Sequence, residues 1–374
     1  MRIAVDLRSL QTGYISGVET YAVNVLEQLI RLDSANEYVL FYNAFSGTPT
    51  HEALHFINSR TVSRRIPSKL LNAGFKFFDY PTFERLVGDF DLLFLPNANH
   101  FAIAPQTKLA VTVHDLSPFI TPEFYDVRRS IWHRLLNFKK IITRANIIFA
   151  VSEYTKRDLV DTFKVSSEKI VVTPLGVNSN LFNPDLDITR LRAVRNTYAL
   201  PGEFILFLGT LEPRKNVIGL VQAFNALRGN AGLVIAGRPG WKYGALFREI
   251  ERSPKRKLIR VLGFVEEHDK PYIVKLARVF AFPSFYEGFG LPVLEAMRVG
   301  TPVLSSQLTS IPELTGDSAL LINPYNVKDI MHGLDLLLTD ETLRTQLSDK
   351  AFARSQTFTW EKTSQLMQKA FQSL

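Results

Sequence analysis

The sequence has 374 residues, a length that suits two domains of about 180 residues each better than a single core. It contains no cysteine, which excludes disulfide bonds, thiolate nucleophiles and cysteine-ligated zinc. The formal net charge of +8 allows an acidic partner, such as a nucleotide phosphate, an anionic membrane or a nucleic acid, and does not choose among them. Because no run of about 18 apolar residues is present and Met1 leads directly into a strand, we expect neither a membrane-spanning helix nor a signal peptide.

Short apolar runs alternate with amphipathic helical patterns along the whole chain. This alternation predicts parallel α/β sheets, and two series of runs predict two sheets. We place the boundary in the turn-rich stretch from Pro174 to Pro184, which gives domains of residues 1–177 and 178–357. The predicted strands are Ile3–Leu7, Asp91–Leu95, Leu109–Val113, Ile147–Val151 and Ile170–Thr173, then Phe204–Leu208, Leu233–Ala236, Ile259–Leu262, Val279–Phe282, Pro302–Ser305 and Ala319–Ile322.

Motifs that directly follow strands are candidates for a site, because ligands of open α/β sheets bind beyond the carboxyl ends of the strands. After the first strand, Gly17 begins a helical pattern and leaves backbone N–H groups accessible to an anion. The segment is not G-x-G-x-x-G, so the dinucleotide-binding fingerprint is absent. His114 and Asp115 follow the strand Leu109–Val113, and for this pair a capping or core role and a ligand-binding role are both open.

In the second half, the segment from Gly209 to Asn216 follows the strand Phe204–Leu208 and contains the adjacent cations Arg214 and Lys215. The helix dipole disfavours two cations at the start of a helix. A bound diphosphate would make them favourable there, because its negative charge attracts them. Arginine grips phosphate oxygens in a bidentate way, and lysine acts as a point charge. The alternative for these two residues is a solvated basic turn.

The strongest pattern runs from Glu287 to Glu295, after the strand Val279–Phe282. Gly288 and Gly290 leave the backbone bare at the entry to a helix, where N–H groups can face phosphate or sugar oxygens. Two carboxylates suit a ligand rich in hydroxyl groups, because each carboxylate accepts several O–H donors. The alternative is an ordinary strand-to-helix turn in which the dipole favours acidic residues.

Two further strand ends lie in the same half of the chain. Arg238 follows the run Leu233–Gly237 and is a candidate for the phosphate region. Phe264 and Val265 follow the run that ends at Leu262, and their backbone could contact a ligand. For the side chains of Phe264 and Val265, a place at the end of a core strand is equally open.

The pattern of Glu287, seven residues and Glu295, with Gly-Phe-Gly-Leu-Pro inside it, resembles the signature of family 4 glycosyltransferases. The other segments follow in the family's order along nearly the whole chain. The resemblance implies the GT-B fold, in which two Rossmann-like α/β domains with parallel sheets face each other across a cleft. It also implies that the first domain binds the acceptor, that the second binds the donor, and that a helix within residues 358–374 returns to the first domain.

The family's residue roles carry over position by position. The residues matching Glu287 and His114 contact the donor sugar, Glu295 holds the ribose hydroxyls, and Arg214 and Lys215 bind the diphosphate. The resemblance therefore gives catalytic roles to His114, Arg214, Lys215 and Glu287. The donor-binding residues that it implies are Gly17 (next to Ser16, where the family often has a second glycine), Gly209, Arg214, Lys215, Arg238, Phe264, Val265, Glu287, Gly288, Phe289, Gly290, Leu291 and Glu295.

The resemblance implies a hexosyltransferase that retains the anomeric configuration of a nucleotide diphosphate sugar and needs neither a cofactor nor a metal. Similarity of Asn97–Phe101 and His114–Pro118 to mannosyltransferase-like members favours GDP-mannose as the donor, with UDP-sugars as alternatives. The acceptor would be a glycan or a lipid-linked glycan. Two other readings are a GT-B-fold sugar phosphorylase and a non-catalytic subunit that binds nucleotide sugars. A nucleic-acid binder is not supported, because no RNP-like motif or arginine-rich tail is present.

Two basic segments in the first half could lie on an anionic membrane, which would make a cytoplasmic protein peripheral to the inner face of the membrane. Both segments interleave apolar side chains, so they could equally be helices that pack on a sheet and keep their cations in water. The first segment contains Arg60, Arg64, Arg65, Lys69 and Lys76 near Phe75, Phe77 and Phe78, and the second, residues 128–144, contains Arg128, Arg129, Arg134, Lys139, Lys140 and Arg144.

Overall fold

The computed structural model describes residues 1–12, 17–44 and 54–374. These residues form two compact units, each with its own sheet. The first unit comprises Met1–Leu116, Ile131–Gly176 and Thr359–Leu374, and the second comprises Ser117–Ser130 and Val177–Phe358. The predicted boundary near residue 177 assigns Ser117–Ser130 to the first domain, whereas in the structure this segment packs with the second unit.

The sheet of the first unit is entirely parallel in its described strands, with the order β3-β2-β1-β4-β5-β6-β7. Its strands Leu92–Leu95 and Ile147–Ala150 are buried along their whole length, as their continuous apolar sequences predict. The strands are β1 (Arg2–Asp6), β2 (Glu37–Asn43), β3 (Ser59–Arg64), β4 (Leu92–Leu95), β5 (Lys108–Val113), β6 (Ile147–Ala150) and β7 (Ile170–Val172).

The sheet of the second unit is also parallel, with the order β10-β9-β8-β11-β12-β13. Counted from the first strand of each unit, the second sheet has the Rossmann order 3-2-1-4-5-6 and the first has the same order with a seventh strand added. The strand order therefore reverses between β1 and β4 and between β8 and β11. The strands are β8 (Phe204–Leu208), β9 (Gly232–Ala236), β10 (Ile259–Gly263), β11 (Val279–Phe282), β12 (Val303–Ser306) and β13 (Leu320–Ile322).

Helices lie between most consecutive strands, as is usual for parallel sheets, whereas residues 96–107 between β4 and β5 contain no helix. None of the helices in the described residues is long and apolar enough to cross a membrane. The helices are α1 (Gly17–Leu32), α2 (Ser68–Phe77), α3 (Phe83–Val87), α4 (Ser117–Ile120), α5 (Val127–Leu135), α6 (Phe138–Arg144), α7 (Glu153–Phe163), α8 (Ile188–Thr197), α9 (Val217–Ala226), α10 (Gly244–Arg252), α11 (Lys270–Leu276), α12 (Leu291–Arg298), α13 (Ile311–Thr315), α14 (Val327–Thr339), α15 (Glu341–Ser355) and α16 (Trp360–Gln372).

The predicted fold class, two Rossmann-like α/β domains with parallel sheets, is confirmed. All six strands predicted for the second sheet are present, but the sequence analysis missed β2 and β3 in the first. The sequence of β3, SRTVSR, carries two arginines and little apolar surface because this strand lies at the edge of the sheet.

The last helix, α16, belongs to the first unit and packs against α1. The Ser364 hydroxyl donates to the carbonyl of Val25, 3.0 Å away, within α1. Gly176 packs against the start of α16. A Cβ at Gly176 would lie 2.1 Å from the backbone nitrogen of Trp360. A glycine is therefore required where the chain leaves the first unit.

Candidate functional site

The carboxyl ends of β8 and β11 carry the strongest candidate site of the second unit. The two strands are neighbours, and the strand order reverses between them. In an open α/β sheet this point leaves a crevice at the carboxyl edge, because the connections on either side run in opposite directions. The loop after β8 carries Arg214 and Lys215, and the loop after β11 carries Glu287.

The loop that carries Arg214 and Lys215 is fixed by its own backbone. Pro213–Lys215 form a single 3-10 turn, which ends at Asn216 in the left-handed region with a φ of 55°. The Asn216 side chain caps α9 by accepting from the backbone of Gly219, and its Nδ2 donates to the carbonyl of Pro324, 2.7 Å away. The cations are therefore held at the entry to a helix, where the dipole alone would disfavour them.

Four charged side chains meet between these two loops. Lys215 Nζ lies 2.6 Å from Glu287 Oε1, and Arg214 Nη1 lies 3.1 Å from Glu287 Oε2. Arg214 Nη2 also lies 2.7 Å from Glu212 Oε1, and Arg214 Nη1 donates to the carbonyl of Tyr286 at 2.6 Å. Beneath them, Lys215 Nζ stands 4.7 Å from the centre of the Phe282 ring. The two cations and two carboxylates balance one another, and all four side chains are nearly buried.

Burial and charge act in opposite directions on Glu287. Burial would raise the pKa of its carboxyl, but Lys215 and Arg214 outweigh burial and hold that pKa below its ordinary value. Glu287 is therefore a carboxylate at neutral pH and can accept hydrogen bonds from hydroxyl groups. Burial, with the charge of Arg214, lowers the pKa of the Lys215 ammonium, and the charge of Glu287 opposes that change.

The loop after β11 turns into α12 at Gly290, which has a φ of 102°. A Cβ at this position would lie 2.7 Å from the side chain of Ile311, so the turn needs a glycine for both backbone and space. The hydroxyl of Ser310 donates to the carbonyl of Glu287 at 2.9 Å, and Glu287 N donates to the Thr309 hydroxyl at 3.1 Å. The backbone around Glu287 is thus held from both sides.

Glu295 lies one turn inside α12 and is buried. Burial raises the pKa of its carboxyl to about 7, with Lys270 opposing that rise and Glu267 adding to it. A carboxyl with this pKa is half protonated at neutral pH, so its charge responds to any ligand that donates hydrogen bonds to it.

The loops after β8, β9 and β10 are joined by backbone hydrogen bonds. Gly209 N donates to the carbonyl of Ala236 at 2.9 Å, and Gly237 N donates to the carbonyl of Gly263 at 2.7 Å. Beyond them, the guanidinium of Arg238 stands 4.1 Å from the centre of the Phe264 ring, which is well exposed. The pair places a cation and an aromatic face at the carboxyl edge.

Several predicted donor residues of the second unit can offer a ligand only their backbone. The side chain of Val265 is buried. Phe289 is also buried, with its ring 5.9 Å from that of Phe358. Gly288 and Gly290 have no side chain, whereas Leu291, the first residue of α12, is only half-buried and keeps part of its side chain accessible.

His114 and Gly17 belong to the first unit, whereas the charged cluster belongs to the second. His114 Nε2 lies 2.8 Å from the carbonyl of Pro96, and its ring meets the edge of Tyr21 at 4.7 Å. Because a carbonyl oxygen can only accept, Nε2 carries the proton and Nδ1 keeps a lone pair. Burial lowers the pKa of His114, opposed by Pro96, Asp115 and Glu19, so the imidazole is neutral at neutral pH. Gly17 begins α1, and a Cβ there would meet open space.

The sequence analysis missed two supports of the site. Glu212 lies in the motif that contains Arg214 but was given no role, although it holds the guanidinium; an acid two residues before a candidate phosphate-binding arginine is the signal for it. Phe285, beside the Glu287 loop, stacks on Phe124 at 5.2 Å between ring centres, and Trp241 Nε1 donates to the Phe124 carbonyl at 2.7 Å. No local pattern reveals that residue 124 packs there.

Comparison with known proteins places this geometry in a class. Profiles of two families, described as Glycosyltransferase Family 4 and Glycosyl transferases group 1, match residues 15–181 and 194–354 respectively. Among solved structures, HepE of Anabaena in complex with UDP-glucose aligns with a TM-score of 0.75 and 17% identity over 100% of both chains. The two parallel Rossmann-like sheets and the structural similarity to HepE place the fold in the GT-B class.

Two relatives from Escherichia coli identify the family. O-antigen chain mannosyltransferase B is 34% identical over 267 residues, which are 70% of this chain and 70% of that protein. The serotype-specific mannosyltransferase WbdA is 31% identical over 283 residues, which are 71% of this chain and 34% of WbdA, so the match spans about a third of that relative. The chain belongs to glycosyltransferase family 4, and it is a glycosyltransferase.

Proposed function

We propose that the chain transfers mannose, with retention of configuration, from a nucleoside diphosphate mannose to a glycan or lipid-linked glycan acceptor. Two relatives that cover 70% or more of this chain are named mannosyltransferases, which supports mannose as the sugar. We infer that the nucleotide part of the donor is GDP. HepE was solved with UDP-glucose, which makes UDP-sugars the donors to test beside it.

The observation that carries the proposal is the charged cluster of Arg214, Lys215 and Glu287. Lys215 uses one of its three N–H donors on Glu287, at 2.6 Å, so further donors remain for a phosphate oxygen. Glu212 and Glu287 hold both cations in place before a ligand arrives, which removes the cost of arranging them during the reaction. A diphosphate adds negative charge beside a cluster whose charges are balanced, and the cations are the groups that offset it.

Charge develops on the diphosphate as the bond from its oxygen to the sugar breaks. Arg214 and Lys215 stabilise this charge in a nearly buried setting, where an ion pair is stronger than in water. Glu287, kept ionised by the two cations, accepts hydrogen bonds from sugar hydroxyls and orients the donor. The phosphate oxygen released by the donor takes the proton of the acceptor hydroxyl, so the chain itself need not supply a base.

We also propose that the reaction needs no metal ion, because Arg214 and Lys215 provide the charge that a divalent cation would otherwise supply. Within residues 1–12, 17–44 and 54–374, no three histidine or acidic side chains are grouped as metal ligands.

The test is nucleotide release from GDP-mannose, UDP-glucose and UDP-galactose, with an oligomannose acceptor and EDTA present. We expect release from GDP-mannose, and we expect Lys215→Ala to reduce turnover by about a hundredfold or more, as loss of one transition-state stabiliser does. Lys255→Ala is the matched control, because Lys255 also stands over an aromatic ring, Phe224, and its pKa is also lowered by burial. The control should keep turnover near that of the unmodified enzyme.

Three results would overturn parts of the proposal. Formation of mannose 1-phosphate from the oligomannose and inorganic phosphate, with no nucleotide release from any donor, would indicate a phosphorylase. Donor binding without release for any acceptor would indicate a non-catalytic nucleotide-sugar-binding subunit. A requirement for Mn²⁺ or Mg²⁺ would remove the role given to Arg214 and Lys215.

A further inference from the structure

Helix α2 of the first unit exposes apolar side chains that its packing leaves uncovered. Leu71 and Phe75 are buried and attach the helix to the unit. Leu70 and Phe77 are seven residues apart and share another face, where they are 66% and 69% exposed. Lys69 and Lys76 precede them at the same spacing. The helix therefore presents two pairs, each a lysine beside an exposed apolar side chain.

The chain directly after α2 adds two more exposed rings next to Phe77. Phe78 is 78% exposed and Tyr80 is 53% exposed. The backbone N–H groups of both donate to the carbonyl of Gly74, at 3.0 and 3.2 Å, so the loop is folded against the end of the helix. Three exposed aromatic rings thus lie within four consecutive residues in a defined loop.

Cations accompany the exposed rings. Lys76 Nζ stands 4.9 Å from the centre of the Phe77 ring, and the Arg85 guanidinium stands 5.2 Å from that of Tyr80. Asp79, the one acidic residue between positions 59 and 83, is paired with Lys140 Nζ at 2.7 Å. The loop therefore presents aromatic rings in a positively charged setting, with its single negative charge neutralised.

Asp79 and Lys140 are 61 residues apart in sequence, and their ion pair joins the two basic segments. Helix α6 buries Phe138, Ile141 and Ile142 and leaves Lys139 and Lys140 exposed beside the loop. Other cations of these segments have structural partners: Arg60 donates to the carbonyl of Val87, and Arg144 to that of Pro105. Arg129 stands over Trp241 in the second unit, and the side chain of Arg134 lies outside the described residues.

We propose that this face binds the anionic surface of a lipid bilayer. We call it the aromatic-basic face and define it by Leu70, Phe77, Phe78 and Tyr80 with Lys69, Lys76 and Lys139. Rings and a leucine can enter the interfacial region of a bilayer, while long lysine side chains keep their ammonium groups at the level of the phosphates. The positive charge around them is complementary to an anionic leaflet.

A protein partner fits this face less well than a membrane does. The buried core of a protein interface is depleted in lysine, whereas here Leu70 and Phe77 each directly follow a lysine. At a bilayer the same arrangement has no such cost, because the ammonium groups remain beside phosphates and water. The face is also independent of the residues assigned to the donor, so membrane binding and sugar transfer can be tested separately.

The test is sedimentation of the full chain with vesicles of phosphatidylcholine alone or with about one third phosphatidylglycerol. We expect binding only to the anionic vesicles, and weaker binding as salt rises. Lys69→Ala with Lys76→Ala should weaken binding roughly 25-fold, since each lysine near an anionic surface contributes a factor of about five. Phe77→Ser with Phe78→Ser should weaken it at least tenfold, because two apolar groups leave the interface.

Matched controls change exposed residues elsewhere. Lys257→Ala with Lys328→Ala removes the same charge from the second unit, and Ile188→Ser with Leu366→Ser removes exposed apolar side chains outside the face. Both should bind vesicles like the unmodified chain, and all variants should keep its melting temperature because the changed side chains are exposed, except that of Lys76, which is half-buried. Equal binding to neutral vesicles, no binding to either kind, or equal losses in variants and controls would overturn the proposal. Concentration-dependent dimers that Phe77→Ser with Phe78→Ser abolishes would instead make this face a contact between copies of the chain.

Discussion

At Glu287 one carboxylate forms two ion pairs, and the sugar contact proposed for it depends on them. Its ion pairs with Lys215 and Arg214, at 2.6 and 3.1 Å, position the two cations and keep the carboxylate ionised despite its burial. An ionised Glu287 can then accept hydrogen bonds from the donor sugar. Removing Glu287 would leave the Lys215 ammonium nearly buried without its ion-pair partner, which costs far more than an exposed ion pair contributes.

Glu295 provides a prediction about pH. Its carboxyl has a pKa of about 7 without ligand, and ribose hydroxyls that donate to it favour the charged form. Binding therefore lowers this pKa, so affinity for GDP should rise as pH increases towards 8 and the group becomes fully charged. Between pH 6 and 8 the gain from this group is about tenfold, the change in its charged fraction.

Titration calorimetry of GDP binding at pH 6, 7 and 8 checks this. The phosphates of GDP also titrate near pH 6, so Glu295→Gln is the control that keeps their contribution and loses that of the carboxyl. The unmodified chain should gain about ten times more affinity than Glu295→Gln over this range. Parallel pH profiles for the two proteins would remove Glu295 from the nucleotide site.

The sequence identifies which residue types could form the site, but not how they pair. Lys215 and Glu287 are 72 residues apart, and only the rule that ligands bind at the carboxyl ends of strands placed both in one region. Their ion pair depends on β8 and β11 being neighbours in the sheet, which is a property of the fold. The pKa of Glu295 depends on burial by surrounding elements, and the sequence carries no local signal for it.

At the scale of elements, the loops after β8 and β9 meet backbone to backbone. Gly237 has a φ of 141°, and a Cβ there would lie 1.8 Å from the carbonyl oxygen of Gly209. That contact is with backbone, so the loop that leads to Arg214 must move to accommodate a side chain. The glycine in this turn is thus tied to the position of the cations as well as to the fold.

We therefore expect Gly237→Ala to destabilise the chain by about 2 kcal/mol or more and to weaken GDP binding as well. Gly229→Ala is the matched control, because Gly229 also has a positive φ, 84°, but a Cβ there would meet no atom within 4 Å. The control shows the cost of backbone strain alone and should leave GDP affinity unchanged. Urea unfolding and calorimetry measure the two effects; equal stability losses, or unchanged GDP affinity in Gly237→Ala, would contradict the expected displacement of the loop.

The elements also show where sequence patterns reach their limit. The six strands of the second sheet have compact apolar runs and were all predicted. In the first sheet, β3 has a polar sequence because it lies at the edge, and its arginines were counted in a basic segment. Its place in the sheet comes from parallel pairing with β2, a contact between distant residues.

At the scale of the whole molecule, two sheets with the same strand order carry different chemistry. The second unit places cations, carboxylates and an aromatic ring at the carboxyl ends of β8 to β11. At the same edge of the first unit, β5 is followed by a neutral His114. The shared order follows from βαβ connectivity, whereas the chemistry is set by the loops, so the fold could be predicted from strand and helix patterns and the sites only from motifs.

The last prediction concerns the stereochemistry of the transfer. If the oxygen released by the donor takes the acceptor's proton, the acceptor approaches on the face that the leaving group occupied, and the new bond keeps the donor's configuration. Mannose from GDP-α-mannose should then be joined as an α-mannoside, which proton NMR of the product reads directly from the anomeric signal. An inverting enzyme instead needs a general base on the opposite face. A β-mannoside would therefore refute retention and make the neutral His114, whose unprotonated Nδ1 could accept a proton, the candidate base, and loss of turnover in His114→Ala would then test that role.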